Sequence, residues 1–240
     1  MDQPALKLNK TTKMKKHSTL RGIVDNTRAI EAFEKLQVNI NLASIDQKIK
    51  VIQITSSIQD EGKTTVAVNL ASSYVQKGEK VLIVDLDLRR PKVHRNLEQS
   101  NENGLVDYVS GACKKEQLVK RTRFGIDVVL SGPKTPYPVK ILESELLQNL
   151  LEQAKNTYDV IILDTPPVSA VVDPIVVSKY VDGVVFVVQA ETTKKSIIKE
   201  SIQMLENAQA TIIGTVLTSV KDKYTKYGYK YRYYYSERED

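Results

Sequence analysis

Cysteine is nearly absent from this chain of 240 residues: Cys113 stands alone. That excludes an internal disulfide framework and any CxxC metal or cluster site. A reducing, cytoplasmic setting is expected. No window reaches eighteen consecutive apolar residues, so no segment is expected to span a membrane by itself. The N-terminus is also too polar for a signal peptide. Charge of one sign is scarce over the globular middle, which is close to neutral. The basic excess sits in residues 1–21, where Lys7, Lys10, Lys13, Lys15, Lys16 and Arg21 face only Asp2. A basic, poorly periodic arm over residues 1–27 reads as a solvated flexible segment, or as a weak electrostatic tether to acidic headgroups.

Aromatics are sparse too, at 6% of residues, yet seven of the twelve tyrosines fall within residues 224–235. Tyr224, Tyr227, Tyr229, Tyr231, Tyr233, Tyr234 and Tyr235 follow neither a period of two nor one of 3.6 and alternate with Lys, Arg and Gly. A buried strand does not have that composition. Phenol hydroxyls in a solvated tail over residues 221–240 are reachable phosphoryl acceptors.

Between these ends the chain alternates strand and helix patterns. Short β-branched runs at 50–55, 80–85, 126–130, 159–164, 183–189 and 211–217 have the near-continuous apolar composition of strands buried on both faces. Amphipathic stretches at 63–77, 143–155 and 194–207 are long enough for crossover helices. Residues 28–44 form another helix, with Ile30, Phe33, Leu36, Ile40 and Leu42 at helical spacing. The fold class is therefore α/β, a mostly parallel sheet with helices on both faces, spanning one domain over residues 28–220. Ligands on such sheets bind beyond the carboxyl ends of the strands.

Three strand ends carry chemistry. The first is followed by Ser57-Ile-Gln-Asp-Glu-Gly-Lys-Thr-Thr65, the second half of a GxxxxGK[ST] phosphate-binding loop in its strand-to-helix context. Ser57, Asp60, Glu61, Gly62, Lys63, Thr64 and Thr65 are the candidate nucleotide-binding residues. Gly62 permits close backbone approach, Lys63 reaches the β- and γ-phosphates, and the Thr64 hydroxyl ligates magnesium. The second strand ends Asp85-Leu-Asp87-Leu-Arg89-Arg90. Alternation puts Asp85 and Asp87 on one side, where like charges repel unless a cation or proton lies between them. Magnesium satisfies that requirement; a turn whose aspartates pair with its own Arg89 and Arg90 does as well. The fourth apolar run ends in Asp164, at the position of a magnesium-orienting Walker B carboxylate. Aspartate there is also a common helix cap. Jointly the three ends point to a nucleotide and magnesium site.

The loop, the Asp-x-Asp-x-Arg element, Asp164-Thr-Pro-Pro167 and the tyrosine tail together resemble the bacterial tyrosine kinases (BY-kinases) of capsule and exopolysaccharide synthesis. The resemblance implies a three-layer α/β/α fold like that of P-loop NTPases and ATP-dependent phosphorylation of protein tyrosine. It gives Lys63 to the phosphates. It implies that Thr64, Asp85, Asp87 and Asp164 share metal ligation, and that Asp85 and Asp87 share activation of the acceptor. Arg89 and Arg90 are further active-site candidates. It also implies autophosphorylation of the tail, a homo-oligomer, a cognate phosphotyrosine phosphatase, and a transmembrane polysaccharide chain-length regulator whose cytoplasmic tail activates the kinase at the inner face of the membrane. Related partitioning ATPases place a signature lysine inside the loop, where this chain has Ile58. The family's self-association pattern Glu-x-x-Arg-x-x-Arg falls on Glu31, Glu34 and Gln37, so both arginines are missing. That helix is expected to lay its apolar face on the sheet instead. In the Pro-rich loop at 131–138, Tyr137 replaces the usual Asn.

Two other function classes stay open at this point. One is a nucleotide-driven positioning switch at a membrane, without tyrosine phosphorylation. The other is a nucleic-acid binder using the aromatic, basic tail. The tail's basic residues are nearly balanced by Asp222, Glu237, Glu239 and Asp240, a weak footprint for nucleic acid. A flexible segment of about twenty residues has a root-mean-square span of roughly 25 Å, enough to reach a neighbouring subunit's site.

Overall fold

The structure is a computed structural model and describes residues 23, 27–43 and 48–220. The tyrosine run, and all but two residues of the basic arm, lie outside those described residues. The first helix, α1 (Thr27–Leu42), precedes strand β1 (Val51–Ser56), and α2 (Lys63–Gln76) leads to β2 (Val81–Asp85). Short helices α3 (Val93–Asn96) and α4 (Leu105–Val109) follow, then β3 (Val119–Arg121) and β4 (Asp127–Val129). Helices α5 (Pro138–Leu142) and α6 (Glu145–Lys155) lead into β5 (Val160–Asp164). The chain closes with α7 (Asp173–Val177), β6 (Gly183–Gln189), α8 (Lys195–Asn207) and β7 (Ile212–Thr218).

The seven strands form one sheet in the order β3-β4-β2-β5-β1-β6-β7. All neighbours run parallel except the β3–β4 pair. Alternation sorts side chains between the two faces. Ile52, Ile54, Val81 and Ile83 pack with α2 residues Val66, Ala67, Leu70 and Tyr74 in one layer. Val51, Leu82, Val84, Ile161 and Leu163 pack with Leu147, Leu150 and Leu151 of α6 in the other. Helix α8 extends that second layer through Leu205, against Val184, Phe186 and Val188. Residues of this kind, removed wholly from water, contribute about 1.5–3 kcal/mol each before entropy is set against them.

The long strands and helices agree with the sequence pattern. The short elements do not announce themselves: β3 is an exposed edge carrying Lys120 and Arg121, and its Val119 is left 37% exposed. Charges on an edge strand discourage further pairing and erase the apolar alternation that marks a strand. One expectation is refined. Helix α1 packs chiefly on α2, with Phe33, Leu36 and Ile40 joining the apolar layer on that face of the sheet. The sheet face is already covered by α2, so α1 adds an outer layer. Ile40 is buried there, Ser73 Oγ donates to Gln37 Oε1 at 3.1 Å, and Tyr74 Oη donates to Asn41 Oδ1 at 3.2 Å. Gln37, at one missing-arginine position, is thus a buried polar contact within the chain.

Candidate active site

At its carboxyl end β1 turns into the phosphate loop, whose shape depends on Gly62. Its φ is 94°, a conformation open to glycine and strained for other residues. A Cβ there would stand 3.2 Å from Thr218 Cγ2 at the end of β7. Asp60 also takes a positive φ, 62°. Helix α2 starts at Lys63 without a side-chain cap, which leaves its first N–H groups for a phosphate. In front of the loop opens a cleft of about 350 Å³. Lys63, Thr64, Asp87, Arg90, Pro166 and Pro167 are among its lining residues.

Glu61 belongs to the loop's backing. Its side chain is buried: Oε2 accepts the Ile58 N–H at 2.8 Å, and Oε1 accepts the Gln189 N–H at 3.1 Å and the Thr193 hydroxyl at 2.5 Å. Its backbone carbonyl accepts Thr218 Oγ1 at 2.7 Å. Glu61 therefore ties the loop to the end of β6 through its carboxylate and to the end of β7 through its carbonyl, and what it offers a nucleotide is its backbone. Ser57 is likewise buried, and its carbonyl accepts both the N–H and the hydroxyl of Ser169, at 3.1 and 2.5 Å.

The sheet sets Asp85 opposite Asp164 in the β2–β5 register. Both are buried. Burial pushes the Asp164 carboxyl up to about 7, the Asp87 charge adding to it while the Thr64 hydrogen bond and Lys63 oppose. Burial also raises Asp85 well above the usual carboxylate range, with Asp164 and Asp87 adding to the shift. Asp85 accepts the N–H groups of Asp87 and Val93, both at 3.2 Å. Thr64 Oγ1 donates to Asp164 Oδ2 at 2.6 Å, while Asp164 Oδ1 is buried with no partner.

A divalent cation fits this arrangement. Two buried carboxylates lie side by side, one of their oxygens is orphaned, and Thr64 and Asp164 supply hard oxygen donors. Among the described residues no three His, Cys, Asp or Glu side chains form a ready-made metal cage. Magnesium, which keeps waters and shares its shell with substrate phosphates, does not need one.

The two arginines both line the cleft but take different partners. Arg90 turns across the cleft mouth, Nη1 donating to Gln59 Oε1 at 2.5 Å. Arg89 reaches inward from the rim, Nε and Nη2 donating to the two oxygens of Asp173 at 2.8 and 3.1 Å. The alternative in which this turn's aspartates pair with its own arginines is therefore not the arrangement found. Sequence reasoning missed Asp173, and it missed Lys92, which lines the cleft and donates to Asp60 Oδ1 at 2.6 Å. For Lys92, adjacency to the Asp-x-Asp-x-Arg element was a usable signal. Nothing local marks Asp173, 84 residues from Arg89. Asp87 is half-buried at the rim, whereas Asp85 lies beneath it.

The family model described as an AAA domain matches residues 49–218. The tyrosine-protein kinase YwqD of Bacillus subtilis is 35% identical over 201 residues, covering 83% of this chain and 85% of that protein. Among solved structures, the chimerical protein CapA2B2 superposes with a TM-score of 0.76 at 32% identity, over 82% of this chain and 92% of the other. The kinase domain of the Escherichia coli tyrosine kinase ETK gives a TM-score of 0.75 at 32% identity, over 80% and 78%. Identity of this extent, spread over most of both chains and carried on the same fold, means that this chain belongs to the bacterial tyrosine-protein kinase family.

Proposed function

We propose that this protein is an ATP-dependent protein-tyrosine kinase that phosphorylates its own tail tyrosines in trans and regulates capsular or exopolysaccharide synthesis. The observation that carries the reading is the bond from Thr64 of the phosphate loop to Asp164, beside Asp85, at the back of an open cleft. Such a site positions and neutralises a polyphosphate, which is most of what phosphoryl transfer asks of a protein. Loop amides and Lys63 bind the phosphates. Thr64 and Asp164 would hold magnesium, with Asp85 behind them and Asp87 at the rim. When bound, the ion neutralises charge on the β- and γ-phosphate oxygens.

The acceptor side belongs to Asp87. Both Asp85 oxygens already accept backbone N–H groups, while Asp87 lines the cleft. A phenol with a pKa of about 10 is protonated near neutrality, so a carboxylate that accepts its proton assists the attack. The acceptors are Tyr224, Tyr227, Tyr229, Tyr231, Tyr233, Tyr234 and Tyr235, in a tail joined to β7. Each phosphate adds about −1.5 to −2 charges and reverses the tail's basic character, which loosens any assembly held by tail docking. The protein works as a homo-oligomer at the inner face of the membrane, through the cytoplasmic tail of a transmembrane chain-length regulator, and a phosphotyrosine phosphatase resets it. No helix among the described residues is long and apolar enough to cross a membrane, which is why an external membrane partner is invoked.

The test is phosphotyrosine mapping by mass spectrometry after incubation with Mg-ATP, with and without the regulator's cytoplasmic tail as a peptide. Phosphate on the tail is expected, together with its loss when all seven tail tyrosines are replaced by Phe and retained activity on an added acceptor. Phosphate mostly elsewhere refutes the tail assignment. Nucleotide-dependent membrane association without any phosphotyrosine favours the positioning switch instead.

A further inference from the structure

Asp173 takes no part in the chemistry above, yet it is a fully buried carboxylate at the start of α7. Both its oxygens accept from one guanidinium, that of Arg89. The Arg89 side chain is 42% exposed and that of Asp173 not at all, so the arginine reaches inward from the cleft rim to make the pair. Its position bears on the site. Arg89 follows Asp87 by two residues, and both line the cleft. Asp87 Oδ1 accepts the Arg90 N–H at 2.9 Å, which leaves Oδ2 for an incoming phenol. A guanidinium freed from Asp173 presents the fork of donors that takes a nearby carboxylate in two parallel hydrogen bonds.

We propose that Asp173 is a positioning residue that holds Arg89 off Asp87 and so keeps the Asp87 carboxylate open to the acceptor tyrosine. This rests on the kinase reading. In the step it serves, the phenol oxygen bonds to the γ-phosphorus and the bond from that phosphorus to the ADP oxygen breaks. The phenol proton passes to Asp87 and then to water. An Asp87 already occupied by Arg89 cannot take that proton.

The pair also carries an asymmetry. Losing Asp173 leaves a part-exposed arginine that water can solvate. Losing Arg89 leaves a buried carboxylate with no counter-charge, the more damaging change.

The test is a double-mutant cycle in the full chain with Mg-ATP and the regulator's cytoplasmic tail as a peptide, using a synthetic poly(Glu,Tyr) polymer as added acceptor. Asp173→Asn is expected to lower kcat roughly tenfold to a hundredfold, with KM for ATP within about threefold of the parent. Adding Arg89→Gln to Asp173→Asn removes the misdirected cation and is expected to return most of the lost kcat. In thermal melts Arg89→Gln alone is expected to lower Tm more than Asp173→Asn, and the double variant to recover part of that loss. A double variant no more active than Asp173→Asn overturns the proposal, because a strut needed only for packing would show no rescue. A parent protein that forms no phosphotyrosine overturns both this role and the kinase reading. An active parent without rescue overturns the Asp173 role alone.

Discussion

Glu61 offers the sharpest quantitative test of how the phosphate loop is held. Replacing it with Ala removes acceptors from three donors at once: the N–H groups of Ile58 and Gln189 and the Thr193 hydroxyl. A hydrogen bond to a charged group is worth about 1.5–3 kcal/mol net, and a buried N–H left without a partner costs about 1–3 kcal/mol. The three bonds share one carboxylate and do not add, so the whole loss is about 3–5 kcal/mol. In a chain of this size that lowers Tm by roughly 10 °C. Glu61→Gln should cost less, about 1–3 kcal/mol: its oxygen can still serve Gln189 and Thr193, but its amide would face the Ile58 N–H donor to donor. Urea denaturation followed by circular dichroism measures both. The Glu61 side chain does not line the cleft, so nucleotide affinity should weaken in step with stability. A Glu61→Ala variant of parental stability that has lost nucleotide binding would show the carboxylate to be a ligand and the bracing argument to be wrong.

Lys63→Met is expected to abolish ATP-dependent phosphotyrosine while leaving the far-ultraviolet dichroism intact; undiminished phosphorylation sinks the mechanism. Gly62→Ala places a Cβ at a φ of 94° and 3.2 Å from Thr218 Cγ2. It should cost about 1–3 kcal/mol and weaken ATP binding in a calorimetric titration, and a neutral result would deny the loop its strain. Asp164 is pushed up to about 7 from an ordinary 3.8, and Asp85 is raised as well. Between those values the folded state holds more protons than the unfolded one, so the metal-free protein should lose stability as pH climbs from about 4 to about 7. Urea midpoints measured in EDTA should fall across that window, and magnesium should flatten the trend. Midpoints that rise instead would contradict the assigned protonation.

The parts of the molecule legible in the sequence are those whose physics is local. Val51-Ile-Gln-Ile-Thr-Ser56 is buried along its whole length, and a run of that composition permits little but an interior strand. The phosphate loop is equally plain, because glycine and lysine at fixed spacing before a helix answer one geometric demand. The charged edge strand β3 was hidden because its side chains answer to solvent and to unwanted partners. The division between Asp85 and Asp87 was also hidden, since alternation alone makes the two carboxylates equivalent. Only the fold shows that one accepts the amides of Asp87 and Val93 while the other reaches the rim. Asp173 escaped for the same reason: an aspartate before proline looks like a helix start until Arg89 is seen to reach it. Glu61, read from the loop motif as a nucleotide contact, turned its side chain toward strands more than 120 residues away.

The pairing of Asp85 with Asp164 is written into the β2–β5 ladder and not into side-chain rotamers. Its tolerance to change is therefore that of a sheet register. A single-residue insertion in either strand would turn the following side chains to the opposite face and part the two carboxylates without altering any residue of the site. Substitutions in the flanking loops leave their spacing alone. Variation among descendants of this chain should therefore accumulate in cleft walls such as Ala170 and Val171, and length changes within β2 or β5 should be inherited only together with loss of phosphoryl transfer.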